Sequence, residues 1–164
     1  MKSYIKPGVV ILSLFTVCAL SGVLFSKNNN QQYEQALNLA VQFYDANRCG
    51  KDVKRNNAFA WRSDCHLSDG KDVGYDLSGG FHDAGDHVKF GLTQGFSASV
   101  LGWSYLEYKS SFKGDADKKM RITLRRFAEY FLKCHPRGDL FFYQVGDGGT
   151  DHRYWGSPED QTDD

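Results

Sequence analysis

The chain has 164 residues, 41% hydrophobic and 24% charged, with 20 Lys+Arg against 20 Asp+Glu; this is the composition of one ordinary globular domain. A sequence pI near 6.9 and no basic stripe exclude the electrostatic footprint of a nucleic-acid binder. Aromatic residues make up 15% of the chain, so many rings must either fill a core or offer flat faces to a ligand.

The first residues stand apart. "MKSYIKPG" carries Lys2 and Lys6, and "VVILSLFTVCALSGVLF" then runs from Val9 to Phe25 without a charge. This pattern predicts a secretory signal peptide over residues 1–26, with Ala19 and Ser21 suited to a small-x-small cleavage site. An uncleaved anchor is the alternative, and Ser13, Thr16, Ser21 and Gly22 dilute the run against it. A secreted, extracellular protein without stable membrane association follows if the leader is cut. Outside the cytosol disulfides persist. Cys49 and Cys65 flank a polar loop and are the candidate bridge, worth on the order of 3 kcal/mol in the chain-entropy picture; two buried thiols are the other reading. Cys134 is left odd.

After a polar spacer, "YEQALNLAVQFYDANR" spaces Tyr33, Leu37, Ala40, Val41 and Tyr44 as one face of a helix that ends before Gly50. From Cys49 to Gly91 there is little period and much Gly, Asp, Asn and Ser, a long loop of the kind that is uncommon unless functional. The spacing predicts a second helix over Gln94–Tyr108, with Phe96, Val100, Leu101, Trp103 and Leu106 inward. A third is predicted over Asp117–Cys134, capped by Asp117 and carrying Leu124, Phe127, Ala128, Phe131 and Leu132 as its stripe. "DLFFYQVGDGG" reads as a brief extended run and a glycine turn. The polar ending "PEDQTDD" supplies no element to close a core, and the expectation is a chain that stops mid-domain.

The chemistry concentrates in "DLSGGFHDAGDHVKFG", Asp76 to Gly91. One carboxylate can take a proton from water while a second holds that water in line, and glycine lets backbone approach a ligand. Asp83 and Asp86 suit such a pair. Inverting glycoside hydrolysis needs this base and also a carboxylic acid roughly 6.5–9.5 Å away, which one short turn does not supply. Two other readings stay open on the residues alone: aspartates that merely hold the turn, and a metal module built on His82, Asp83, Asp86 and His87, although no spacing matches a recognised metal signature.

Four blocks in order, "WRSDC", "DLSGGFHDAGDHVKF", "QVGDG" and "DHRYWGSPE", resemble the N-terminal region of glycoside hydrolase family 9 endoglucanases, and the likeness covers essentially everything after the leader. The resemblance implies an all-α fold, an (α/α)6 barrel of which residues 27–164 hold the first few helices. It implies Asp86 as catalytic base, Asp83 as the residue that binds and orients water, and His152 and Trp155 as substrate contacts, with Trp155 able to stack on a sugar ring. Cellulose or a related β-1,4-glucan is the implied substrate. No cofactor is implied for the chemistry and no metal on these residues; the structural calcium sites of some members fall beyond this stretch. The family's general acid, a late glutamate, has no match here, so the chain alone is expected to be inactive. A non-catalytic sugar binder remains the alternative. Phe81-His82 and Thr93 depart from the pattern of many members, and so do the cysteines at 49 and 65, which favours their bridge.

Overall fold

The computed structural model describes residues 30–162; the leader and the question of its cleavage lie outside the described residues. The chain divides into two units, Met1–Leu37 and Asn38–Asp164. In the first, the described residues are helical. They belong to helix α1, residues 30–46, whose remaining turns open the second unit. Val41, Asp45 and Arg48 are buried at helical spacing, and α1 closes as Asn47 Nδ2 donates to the Phe43 carbonyl.

Strand β1 (Lys89–Phe90) leads directly into helix α2 (Gly91–Glu107); a 3-10 turn, Lys109–Ser111, connects it to helix α3 (Gly114–Cys134). Strand β2 (Gln144–Val145) then pairs antiparallel with β1, Lys89 opposite Val145, before the short helix α4 (Gly148–Asp151). The extended run expected in "DLFFYQVGDGG" is this second strand. No helix among the described residues is long and apolar enough to cross a membrane.

The core lies where α1, α3 and the long loop meet. Phe81 packs on Phe127 with ring centroids 4.1 Å apart, and Tyr44 closes on both edge-on. Beside these rings sits a buried ionic knot: Asp45 pairs with both Arg48 and Lys119 and accepts the Ala58 N–H. Burial lowers the Arg48 pKa, and the Asp45 carboxylate opposes that shift.

Both later helices depart from the expected faces. Helix α3 begins at Gly114, before Asp117, and its N-cap Lys113 gives no side-chain capping bond. Asp117 instead accepts from the Tyr105 hydroxyl at 2.6 Å and pairs with Arg121. The buried stripe runs through Ala116, Lys119, Met120, Thr123, Phe127, Tyr130 and Cys134. Of the predicted stripe, Phe127 is buried and Leu124 and Phe131 half-buried, while Ala128 and Leu132 are exposed. In α2 the correction is larger: Phe96 is 71% and Trp103 77% exposed, with Val100 and Leu106 also outward, and Gln94 and Tyr105 are the buried residues. Helix α2 carries apolar residues on more than one face, and the period alone does not say which face meets α3. Gly95 and Gly102 supply that contact, against Phe131 and Leu124.

The loop from Cys49 to Gly91 is irregular but ordered by backbone bonds. Isolated bridges join Arg48 to Phe81 and Gly50 to Cys65. At Gly50 the chain has φ +89°, and a Cβ there would stand 2.5 Å from the Gly79 nitrogen. Gly50→Ala is therefore expected to cost at least the 1–3 kcal/mol typical of overpacking, at roughly that scale. A chemical denaturation midpoint compared with wild type checks it.

Candidate active site

The carboxylate turn is pinned at both ends. On the near side the His82 N–H donates to the Asn47 carbonyl, and the Phe81 N–H donates to the buried Gln94 side chain of α2. On the far side Lys89 is buried in β1 and donates to the carbonyls of Leu77 and Gly79 while pairing with Asp69. Between them the Asp83 N–H reaches the Val88 carbonyl at 3.1 Å and closes the loop. The backbone at His87 is held from outside, its N–H donating to both oxygens of the buried Asp151 at 3.1 and 3.2 Å.

Two aspartates elsewhere in this chain spend an oxygen on local backbone. Asp147 caps α4 by accepting the Thr150 N–H, and Asp76 accepts the Ser78 N–H. Asp83 and Asp86 do not. The Asp83 carboxylate has no hydrogen bond or ion pair among the described residues. Asp86 Oδ2 lies 2.7 Å from His152 Nε2, and its side chain is 17% exposed. Asp86 Oδ1 is buried with no protein partner among the described residues. A turn-holding role would engage that oxygen.

The predicted site residues thus converge, with one difference of detail: His152 stands on Asp86 itself. Trp155 is 89% exposed, and its indole lies against the turn, where a Cβ on Gly85 would come within 3.3 Å of the ring. The segment carrying both residues is tied down by Glu159, which accepts from Arg62 Nε and from the Ser63 N–H, each at 2.8 Å. A cavity of about 500 Å³ opens elsewhere, lined by Ser68–Val73 and residues 144–147. It holds neither carboxylate of the turn.

Burial pushes the Glu159 pKa up, but the bonds from Ser63 and Arg62 outweigh it, and the net shift is downward. The Ser78 side chain, followed by Lys133, holds Asp76 below its ordinary 3.8, at about 2. Depressed carboxylates stabilise the fold above their unfolded pKa and lose that contribution as pH falls through the folded value. The melting temperature should therefore decline as pH drops from about 4 toward 2. Asp76→Asn should flatten part of that decline in a series of thermal melts across the window.

The expected Cys49–Cys65 bridge is not formed: both are buried free cysteines. The paired backbone of Gly50 and Cys65 and a left-handed His66 (φ 51°) turn four side chains inward instead. Ligand atoms of Cys49, Cys65, His66 and His82 all lie within 4.8 Å of one another. Two thiols and two imidazoles are a donor set that suits tetrahedral zinc. Burial raises the Cys49 pKa, the adjacent Cys49 thiol lowers that of Cys65, and burial lowers that of His82. The metal module considered on His82, Asp83, Asp86 and His87 does not assemble; of those residues His82 alone joins this cluster. The reading of no metal ligand overlooked it because its spacers are long. The adjacent Cys65-His66 pair was the available signal.

Comparison with known proteins defines the class. The cellulase Cel9M of C. cellulolyticum, also solved in complex with cellobiose, matches with a TM-score of 0.76 and 56% identity, over 79% of this chain and 31% of that one. The endoglucanase of the termite Nasutitermes takasagoensis matches with a TM-score of 0.75 and 38% identity, over 79% and 30%. The helices described above are thus part of an (α/α)6 barrel, and the class is that of the glycoside hydrolases. Residues 33–164 match the profile of Glycosyl hydrolase family 9, and the chain belongs to that family. Among curated relatives, Endoglucanase 4 of Bacillus sp. (strain KSM-522) is 41% identical over 91% of this chain and 23% of its own length. Endoglucanase 10 of Arabidopsis thaliana is 42% identical over 80% and 25%. The chain thus spans about a quarter of the length of these two curated relatives.

Proposed function

We propose that the intact protein is an endo-1,4-β-glucanase that hydrolyses internal bonds of cellulose, or a closely related β-1,4-glucan, with inversion. Asp86 accepts a proton from water through its carboxylate, and Asp83 accepts the second hydrogen bond that aims the water. The water oxygen bonds to the anomeric carbon from one face as the glycosidic bond breaks on the other. A carboxylic acid from elsewhere in the intact protein protonates the leaving sugar oxygen. His152 donates to Asp86 Oδ2 and so fixes the orientation of the carboxylate. Trp155 offers its exposed ring to a pyranose face.

The observation that carries this reading is the pair itself: Asp83 has no side-chain partner among the described residues, and Asp86 is held through Oδ2 by His152 while its Oδ1 has none. The chemistry asks only for carboxylates and water. Zinc held by Cys49, Cys65, His66 and His82 would supply a rigid crosslink between three loop segments, next to Asp83. The leader carries the protein out of the cell to its substrate, and residues 1–164 alone, without the acid, do not turn it over. NMR of the first products from a soluble cellulose tests the assignment: α-anomers are expected from the intact protein, and β-anomers, or no cleavage, count against it.

A further inference from the structure

Gln161 sits where the four-residue cluster and the carboxylate turn meet. Its Oε1 faces His66 Nε2 at 3.3 Å and also His87 Nδ1, and its Nε2 donates to Asp151 Oδ2 at 3.1 Å. A carboxylate only accepts, so the amide nitrogen must lie toward Asp151 and the amide oxygen toward the two rings. Both ring nitrogens facing that oxygen then carry protons. In neutral His66 this leaves Nδ1 as the bare nitrogen, the atom that stands 3.3 Å from His82 Nε2. Metal-binding histidines commonly give their second N–H to such a carbonyl, which fixes the tautomer and the ring.

The other end of the amide leads to the turn. Asp151 holds the His87 N–H, one residue past Asp86, and immediately precedes His152, which contacts Asp86. We propose that Gln161 is a positioning residue that couples the Cys2His2 centre to the catalytic turn. It presents His66 Nδ1 to the metal and, through Asp151, sets the backbone that orients Asp86. The proposal rests on the reading that the cluster holds zinc and that the turn is catalytic. Neither Cys49 nor Cys65 contacts Asp86 in the structure, so Gln161 gives a side-chain route between the two groups, beside the direct chain link from His82 to Asp83.

The test uses the intact protein, Gln161→Leu and Gln161→Glu. Zinc affinity is measured by chelator competition, coordination by the cobalt(II) absorption spectrum, and kcat and KM on soluble cellulose. Gln161→Leu keeps the bulk and loses every bond; zinc should bind about 10–100-fold more weakly, the cobalt spectrum should change, and kcat should fall while KM holds. Gln161→Glu keeps an acceptor for both rings but faces Asp151 with a second carboxylate. Its zinc affinity should stay near wild type while kcat falls. Wild-type affinity and kcat in Gln161→Leu would overturn the coupling. If Gln161→Leu does not fold, an unchanged kcat in Gln161→Glu overturns it instead. Wild-type protein that takes up no zinc overturns the metal reading, and the coupling with it. Wild-type protein that binds zinc but cleaves no cellulose overturns the catalytic reading.

Discussion

Asp86→Asn in the intact protein is expected to lower kcat on cellulose by about 10²–10⁴-fold, the usual worth of a positioned general base. The amide is nearly isosteric and its oxygen can still accept from His152, so the turn keeps its shape and KM should change little. What is lost is the capacity of the carboxylate to take a proton. A structural role predicts a different result, in which stability falls and the remaining folded fraction keeps its rate. Measuring kcat beside the thermal midpoint separates the two.

Asp45→Ala should have the largest effect on stability. Asp45 is fully buried, and its carboxylate is shared by Arg48, which is equally buried, and by Lys119 on α3. Removing one partner of a buried ionic group typically costs about 3–5 kcal/mol, because the remaining charge is left without compensation. Here two cations would remain, and the Ala58 N–H would lose its acceptor as well. Urea denaturation should show a midpoint well below wild type. Replacing Asp45 and Lys119 together by apolar residues should recover part of the loss.

The carboxylate turn was legible in the sequence as a candidate because its pattern is local: two aspartates and a glycine within four residues. His152 and Trp155 were reachable through resemblance alone, since only tertiary structure carries them to the turn across more than sixty residues. The helices were legible as elements, but their faces were misread. Trp103 and Phe96 look like core by composition, yet small residues on another face of α2 set its contact with α3. Lys89, Lys119, Arg48 and Arg62 were invisible for a related reason. Charged residues read as surface, and nothing local marks the carbonyls and carboxylates that bury them. The cysteines were read by compartment, which favours a bridge, whereas the fold surrounds them with two histidines.

The claim on which the account turns is that Asp86 acts by removing a proton from water. Azide is an anion that needs no such removal. Adding it to the intact protein carrying Asp86→Ala should restore bond cleavage and release an α-glycosyl azide, detectable by NMR. Undiminished hydrolysis by Asp86→Ala with azide absent, or an azide product of β configuration, would contradict the account.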